Sequence, residues 1–431
     1  MTHSYPPFGV AGVERVTEES ARALTAAGHS VTVLSRRLTG APPLPGIDRR
    51  QSDDIDVVTI TGPRGGMGGP YLDRMDMLFE RVLLEVLPEV IITAHLMDHS
   101  PRYVLIAKRW AIPVVMELHD YYQVCERTRL ERVSGEFCDG PRGGKSCEAH
   151  CFPVGVGEKG QWAWRTHLYG LAMRHADAFV CPSEFVADLF CDLGVPRERV
   201  NVIPCAVPEL KVMPNDPYVR AVQERNAPLH VVSLGTVIPH KGQHVVIEAL
   251  RKARLGRVRY TVIGSVTRPY ADEVRQAADA VEGLELRMYG AYERELLPAL
   301  LGGADAVVVP SVWRETFSIV VREALACGVP VIASRIGALP EAIREGENGL
   351  LFTPGAATEL AAILQTVDAD RSRLEVLRKG IRESDWIGEG ERRRQLENVL
   401  MRVVRESRAG GQPRAIGTDL EAAMAMTAVT R

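Results

Sequence analysis

The sequence of 431 residues lacks the features that mark several large classes of protein. No run of Lys and Arg is long enough for a nucleic-acid-binding segment, and a net charge of −3 gives no general attraction to phosphate backbones. No apolar stretch reaches the length of a transmembrane span, and the first residues contain no charged-then-apolar signal segment. We therefore expect a cytoplasmic protein that binds no nucleic acid. The phosphate-binding pattern G-x-x-x-x-G-K-[ST] is also absent.

The bulk composition is that of an ordinary globular chain, with 46% hydrophobic and 25% charged residues. The chain is longer than one hydrophobic core normally serves, so we expect two or three domains. In a reducing cytoplasm the eight cysteines would not form disulfides. They would instead be core residues, reactive groups or metal ligands.

One short segment occurs twice, as "ADAFVCPS" at 176–183 and "ADAVVVPS" at 304–311. Each copy is a short apolar run followed by Pro-Ser, which predicts a buried parallel strand that leads into a helix. Other strand-then-helix pairs, such as "VVSLG" before "QHVVIEALRKA", fit the same alternation. The sequence therefore predicts two similar α/β units with helices on both faces of parallel sheets. Ligands bind beyond the carboxyl ends of such strands, so we expect the site in a cleft between the units.

A carboxylate stands in the middle of one apolar helix. The stretch "RETFSIVVREALACGVPVIAS" (314–334) predicts a helix that ends at Gly328 and is followed by a strand, yet Glu323 has apolar neighbours one turn away on both sides. Burying a carboxylate is costly unless it is paired or hydrogen-bonded. Two kinds of partner stay open. One is the diol of a ribose, whose hydroxyls donate to carboxylate oxygens, and the other is an arginine such as Arg322 or Arg344.

Two stretches predict sites for an anion. In "SLGTVIPHKGQHVVIEAL" (233–250) a strand, a tight loop and a helix follow one another, with Lys241 and Gly242 at the helix entrance. Free backbone amides and the positive end of the helix dipole favour an anion there, and the lysine adds a full charge. A solvated lysine in an ordinary turn is the simple alternative. The second stretch, 317–319, lies at the start of the helix that carries the buried carboxylate, and Glu315 lies just before it.

The segment "PSVWRETFSIVVREALACGVPVIASRIGALPEAIREGENGLLF" resembles the C-terminal signature of the retaining, nucleotide-sugar-dependent glycosyltransferases of family 4. "SYPPFGVAGVERV" at 4–16 is similar to the N-terminal glycine loop of that family, and "IPHKG" to its phosphate loop. The likeness extends from residue 4 to about Val404, with the motifs in the same order in both halves. It implies an α/β protein of the GT-B fold, in which two facing Rossmann-like domains enclose an interdomain cleft.

The resemblance also implies roles for single residues. Glu315 would contact the donor sugar, Glu323 the ribose, and Lys241 the diphosphate. His119, which follows a strand in "ELHDYY", would lie near the reacting sugar. The implied catalytic residues are His119, Glu315 and Lys241, and the implied donor-binding residues are Gly12, Lys241, Gly242, Phe317, Ser318, Ile319 and Glu323.

The family implies a retaining hexosyltransferase that moves a sugar from a nucleoside-diphosphate sugar to a sugar, lipid or small-molecule acceptor, with room for peripheral contact with a membrane. No catalytic metal is expected, because the D-x-D triplets at 54–56 and 368–370 fall in loop and helix segments.

The predicted organisation is an acceptor-binding Rossmann-like domain (1–205) with a cysteine-rich insertion (125–151), a linker (206–228), a nucleotide-sugar-binding Rossmann-like domain (229–383), a helix packing back on the first domain (384–407) and a flexible tail (408–431).

Two other functions stay open. A nucleotide-sugar epimerase or hydrolase would use the same fold without an acceptor. A non-catalytic GT-B partner subunit would have kept the fold but lost turnover, and two departures from the family pattern, at Thr236 and Ala11, motivate that alternative. Thr236 stands where an Arg usually follows the glycine of the phosphate loop, Ala11 stands where a glycine is common, and Cys205-Ala206 replaces the usual Asn-Gly of the hinge.

Half of the cysteines lie in "CERTRLERVSGEFCDGPRGGKSCEAHC", as Cys125, Cys138, Cys147 and Cys151. The stretch is rich in glycine and has little apolar content, so four thiolates around Zn²⁺ would supply the core that it lacks. It resembles an insertion in some family members. His150 in place of one cysteine, an iron–sulfur cluster and four free thiols stay open, and we predict structural zinc.

A Rossmann unit needs an apolar strand before its first glycine loop, and here only "MTHSY" precedes "PPFG". From the resemblance we predict that the natural chain starts several residues upstream. Met1 would then be an internal Val codon read as an initiator.

Overall fold

A computed structural model describes residues 1–9, 11–40, 45–64, 69–152, 160–207, 210, 227–382 and 385–410. The chain divides into two compact units. Unit 1 comprises Met1–Ile203 and Glu389–Arg431, and unit 2 comprises Pro204–Gly388. Most of the predicted linker and nearly all of the predicted tail lie outside the described residues.

Unit 1 contains two small sheets. Its strands are β1 (Thr32–Leu38), β2 (Gly46–Ser52), β3 (Ile55–Gly62), β4 (Ile91–Thr93), β5 (Val114–Glu117), β6 (Ala178–Cys181) and β7 (Val200–Val202). Its helices are α1 (Gly12–Ala26), α2 (Gly69–Val86), α3 (Tyr103–Arg109), α4 (Lys145–His150), α5 (Gln161–His175), α6 (Glu184–Asp192) and, from the end of the chain, α13 (Glu389–Ala409). One sheet has the order β1-β3-β2 with β2 antiparallel, and the other is parallel with the order β4-β5-β6-β7.

The first two residues lie between these sheets. The backbone N–H of Thr2 donates to Leu34 O of β1 at 3.0 Å, and Met1 O accepts from Ala94 N, just beyond β4, at 2.8 Å. The terminal amine of Met1 donates to Ile92 O at 2.5 Å. Burial lowers the pKa of that amine to about 6. These bonds satisfy backbone groups at the facing edges of both sheets.

Unit 2 is built on one parallel sheet of six strands with the order β10-β9-β8-β11-β12-β13. The strands are β8 (Leu229–Leu234), β9 (Val258–Ile263), β10 (Leu284–Gly290), β11 (Ala306–Val309), β12 (Val331–Ser334) and β13 (Gly349–Phe352). The helices are α7 (Gln243–Ala253), α8 (Tyr270–Asp279), α9 (Leu297–Leu301), α10 (Ile319–Ala326), α11 (Ala357–Ala369) and α12 (Ser372–Gly380). This is the doubly wound order of a Rossmann domain, and its switch point, where a ligand crevice forms, lies between β8 and β11.

The two copies of the repeated segment occupy matching places. Their apolar runs form β6 and β11, which are fully buried parallel strands as the sequence predicts. Ser183 then caps α6, because its hydroxyl accepts from Val186 N at 3.2 Å. Helix α10 also ends where expected. Gly328, just beyond it, has a φ of 74°, a left-handed conformation that glycine adopts without strain.

Helix α13 returns the chain to unit 1. Apolar side chains along it pack with residues of α1, β5 and β6 in one core cluster that includes Leu24, Val115, Val180, Leu396, Val399, Leu400 and Val403. A buried ion pair accompanies this packing, since Arg392 Nη2 donates to Glu117 Oε1 at 2.7 Å. Burial opposes ionisation of this carboxyl, but His119 and Arg392 outweigh it and lower the pKa of Glu117 to about 2. No described helix is both long enough and apolar enough to span a bilayer.

The Arg392–Glu117 pair yields a stability prediction. Arg392→Ala should lower the free energy of unfolding by about 3–5 kcal/mol, because it leaves Glu117 buried without its guanidinium partner. The folded pKa of Glu117 lies below its ordinary value of 4.5, so the pair stabilises the fold above that pH and this contribution is lost as the pH falls toward 2. Urea unfolding at several pH values measures both effects.

The matched control is Arg394→Ala, on the same helix. Its side chain is 61% exposed and pairs with Glu391 at the surface, so its loss should cost at most about 0.5 kcal/mol. Equal losses of unfolding free energy in the two variants would show that the buried pair has no special role in stability.

Candidate functional site

The loop after β8 is held tightly against the end of β11. Lys241 closes a short 3-10 turn, and Gly242 caps α7 with a φ of 78°. A Cβ atom on Gly242 would lie 2.0 Å from Pro310 O, so only glycine allows this approach. The lysine is thereby fixed at the switch point of the sheet.

Three polar side chains near the end of β11 donate hydrogen bonds to Glu315. Its Oε1 accepts from Lys241 Nζ at 2.7 Å, from Ser311 Oγ at 2.6 Å and from Trp313 Nε1 at 2.9 Å. Lys241 Nζ also lies 5.4 Å from the centroid of the Trp313 ring. Burial opposes ionisation of Glu315, but Lys241 and the two other donors lower its pKa overall. The structure therefore brings together two of the predicted residues, Lys241 and Glu315, as a partly buried ion pair.

The predicted anion site at the start of α10 has an unusual backbone and an unpaired hydroxyl. Ser318, the residue before Ile319, has a φ of 59°, which is rare for a residue other than glycine. Its Oγ is buried and has no hydrogen-bond partner among the described residues. The preceding Phe317 is held by Arg322, whose Nη1 donates to Phe317 O at 2.6 Å and whose guanidinium lies 3.7 Å from the ring centroid. A buried hydroxyl beside free helix amides suits an anionic ligand.

Glu323 has an arginine partner that the sequence does not point to. Arg294 Nε donates to Glu323 Oε1 at 2.6 Å, and the two side chains are 10% and 2% exposed. The arginines considered from sequence, Arg322 and Arg344, are the wrong ones. Arg322 bonds to a backbone carbonyl, while Arg344 pairs with Asp385 and a surface glutamate. The correct partner lies in a 3-10 turn that follows β10, and only the tertiary fold brings it to α10.

In unit 1, His119 follows β5 as predicted. Its Nε2 lies 3.3 Å from Glu117 Oε2, and its side chain is 7% exposed. Beside it, Asp120 Oδ2 lies 2.9 Å from His95 Nε2, at the end of β4. Burial opposes ionisation of this carboxyl too, but His95 outweighs it and lowers the pKa of Asp120. The resemblance to the family implies no role for His95 or Asp120, although both follow strands whose carboxyl ends share an edge.

Two glycines of the N-terminal loop, Gly9 and Gly12, have different surroundings. Gly12 begins α1, and no atom outside its own neighbourhood lies within 4 Å of where its Cβ would be. At Gly9, in contrast, a Cβ would lie 2.3 Å from Ser4 Oγ and 2.8 Å from Glu14 Oε1. Glu14 is buried and pairs with His3 at 3.1 Å. The side chains of Ser4 and Glu14 therefore lie close to the backbone at Gly9, whereas Gly12 has open space around it.

The four clustered cysteines line one pocket of unit 1. Cys125 and Cys138 are buried, and Cys147 and Cys151 are partly buried. Burial and the neighbouring thiols, first of all Cys125, raise the pKa of Cys147 to about 11. As the side chains are placed, no three His, Cys, Asp or Glu residues in the described part of the chain are arranged to hold a metal ion.

Two sequence profiles match the chain. One, described as Glycosyltransferase Family 4, matches residues 10–209. The other, described as Glycosyl transferases group 1, matches residues 216–384.

Curated relatives are also glycosyltransferases. The chain is 31% identical over 244 residues to D-inositol 3-phosphate glycosyltransferase of Corynebacterium efficiens, covering 54% of this chain and 57% of that protein. It is 30% identical over 183 residues to the MMP alpha-(1->4)-mannosyltransferase of Mycolicibacterium hassiacum, covering 42% and 43%. The matches thus span about half the length of these relatives.

Solved structures match over nearly the whole chain. Anabaena Alr3699/HepE, in complex with UDP and glucose, has a TM-score of 0.67 at 19% identity, covering 93% of this chain and 99% of that one. A glycosyltransferase from Rickettsia africae ESF-5 has a TM-score of 0.68 at 14% identity, covering 94% and 98%. At these identities the likeness establishes the fold. The predicted family and fold are confirmed, and the chain belongs to the family 4, group 1 glycosyltransferases with the GT-B fold.

Proposed function

We propose that the protein is a retaining hexosyltransferase that moves a sugar from a nucleoside-diphosphate sugar to a hydroxyl of an acceptor. The observation that carries this proposal is the group of side chains at the switch point of unit 2. Lys241 and Glu315 are in contact there. The helix that follows begins after Ser318, whose buried hydroxyl has no partner among the described residues, and carries the buried carboxylate of Glu323. Family membership supports it, as do the UDP and glucose in the Anabaena neighbour.

The parts of the donor would each face a different group of the protein, according to their charge. Lys241 and the amides at the start of α10 would face the diphosphate, which carries the negative charge. Glu323 would accept hydrogen bonds from the ribose hydroxyls, with Arg294 holding its carboxylate in position. Glu315 would face the sugar, since its position beside Lys241 lies next to the diphosphate.

The reaction forms a bond between an acceptor oxygen and the anomeric carbon of the sugar, and it breaks the bond from that carbon to the diphosphate. The nucleoside diphosphate leaves with the electron pair and takes up the proton that the acceptor hydroxyl loses. Negative charge develops on the leaving group, where Lys241 and fixed backbone dipoles stabilise it most. Attack from the face that the leaving group occupied retains the anomeric configuration.

Transfer assays test this proposal directly. The protein would be incubated with UDP-, GDP-, ADP- and dTDP-hexoses in the presence and absence of sugar, lipid and small-molecule acceptors. The expected product is a new glycoside with the donor's anomeric configuration, identified by NMR. An inverted product, or conversion of the donor alone at the same rate, would overturn the proposal. The second result would favour an epimerase or hydrolase.

Glu323→Gln should weaken binding of the preferred nucleoside diphosphate by about 1–3 kcal/mol, the range for stranding a buried hydrogen-bond partner. The substitution keeps the shape of the side chain but removes its charge. Isothermal titration calorimetry of the folded variant gives the affinity. The control is Glu345→Gln, an exposed carboxylate in the same unit that pairs with Arg335. Unchanged affinity in Glu323→Gln would show that this carboxylate does not bind the ribose and serves only in its ion pair with Arg294.

His119→Ala and Glu315→Gln should lower kcat far more than they weaken binding of the free nucleoside diphosphate, because both side chains would face the sugar. Steady-state kinetics and calorimetry on the same preparations separate the two quantities. His29→Ala is the matched control, since His29 lies in unit 1, is half exposed and pairs with Glu397. Near-full turnover by His119→Ala would show that its predicted place beside the reacting sugar is wrong.

A further inference from the structure

Four cysteines meet at a pocket that the proposed reaction does not use. The four cysteines lie on three separate segments of backbone. Cys125 closes a turn a few residues after β5, and Cys138 N donates to Leu130 O at 2.8 Å across a short hairpin. Cys147 lies in α4, where it accepts at its carbonyl from Cys151 N at 2.9 Å. Residues up to 26 positions apart in sequence therefore present their thiols to one pocket.

The segment around this pocket has only a small apolar core. Helix α4 has six residues and none of them is buried, and helices this short are not stable alone. In the hairpin Leu130 is buried, but Val133 is 61% exposed and Phe137 is 40% exposed. The segment is anchored at its end, where Phe152 stacks on Trp162 with ring centroids 3.8 Å apart. A cross-link within the segment would supply the missing stabilisation.

Positive charge lies beside the thiols. Arg127 lines the pocket. Arg165 on α5 is 2% exposed, and its Nε donates at 2.6 Å to Glu126, which also lines the pocket. A cation beside the thiols suits a site whose ligands are ionised, since four thiolates around a divalent cation carry a net charge of about −2.

We propose that Cys125, Cys138, Cys147 and Cys151 bind one Zn²⁺ ion as a closed structural site. His150 is exposed on the outside of α4, so the set is four thiolates. The sulfur atoms as placed do not surround a common point. Metal binding would therefore require the sulfurs to turn toward one another by rotation about the Cα–Cβ bonds, and Cys138 Sγ would give up its weak bond to Gly140 O, which is 3.4 Å long.

The site would also support the end of β5. Asp120 Oδ1 accepts from Tyr122 N at 2.8 Å, and Cys125 follows within the same turn. The Tyr122 ring lies under the guanidinium of Arg165 at 4.8 Å. A metal at the four thiols would therefore order the chain directly after His119 and Asp120 without touching substrate. This role is one of positioning and does not depend on the proposed transfer reaction.

Metal analysis of the protein, purified without a histidine tag or chelators, tests the assignment. Elemental analysis should find about one zinc per chain. Cys138→Ser and Cys147→Ser should lose it, and the segment 126–150 should become sensitive to protease. Cys191→Ser is the matched control, because this partly buried cysteine of α6 is not among the four thiols, and it should keep its zinc.

A second measurement does not depend on the variants folding. Titration of the wild-type protein with a mercurial thiol reagent, read with a chromogenic zinc chelator, should release the zinc in step with modification of four thiols. Protein grown with Co²⁺ should show the absorption bands of tetrahedral thiolate coordination. Protein without metal, an iron–sulfur chromophore, or disulfides among the four cysteines would each overturn the zinc assignment.

Discussion

The site of unit 2 depends on backbone contact between three loops. The loop after β8 meets the end of β11 at Gly242, where a Cβ would lie 2.0 Å from Pro310 O. The loop after β12 meets the segment after β11 at Gly337, where a Cβ would lie 2.4 Å from Glu315 O. Larger residues at either glycine would push the loops apart. Because the main chains of these loops are in contact, the charged side chains that they carry occupy fixed positions.

The two buried carboxylates already have cationic partners, Glu315 in Lys241 and Glu323 in Arg294. An arriving diphosphate would share Lys241 with Glu315, and ribose hydroxyls would share Glu323 with Arg294. Ligand binding would then redistribute the contacts of charges that the protein has already paired, so the desolvation cost would come mainly from the diphosphate. Arg294 also supplies positive charge in a site where Thr236 replaces the family's usual arginine.

Much of this arrangement could be read from local sequence. The repeated apolar run located β6 and β11, and Gly328 located the end of α10. Patterns of a few residues carry such information because strand burial and helix termination are local properties. The roles of Lys241 and Glu315 could be assigned only from the resemblance to the family, since each residue alone resembles an ordinary surface charge.

What the sequence did not predict depends on tertiary contacts. Arg294 reaches Glu323 from a turn 29 residues away, and nothing in its own neighbours distinguishes it from a solvated arginine. The close packing at Gly9 depends likewise on tertiary contacts, because the atoms nearest to it belong to the side chains of Ser4 and Glu14. Glycines in one loop look alike until the atoms that face them are placed.

Thermal unfolding with UDP, GDP, dTDP and ADP tests the central claim most directly, because it asks whether unit 2 binds a nucleoside diphosphate. The account predicts that one of the four raises the melting temperature clearly, since a ligand at 100 times its dissociation constant adds about 2.7 kcal/mol of stability. Lys241→Ala should reduce that rise strongly, because it removes the cation placed to face the diphosphate. No stabilisation by any of the four, or an equal rise in Lys241→Ala, would contradict it.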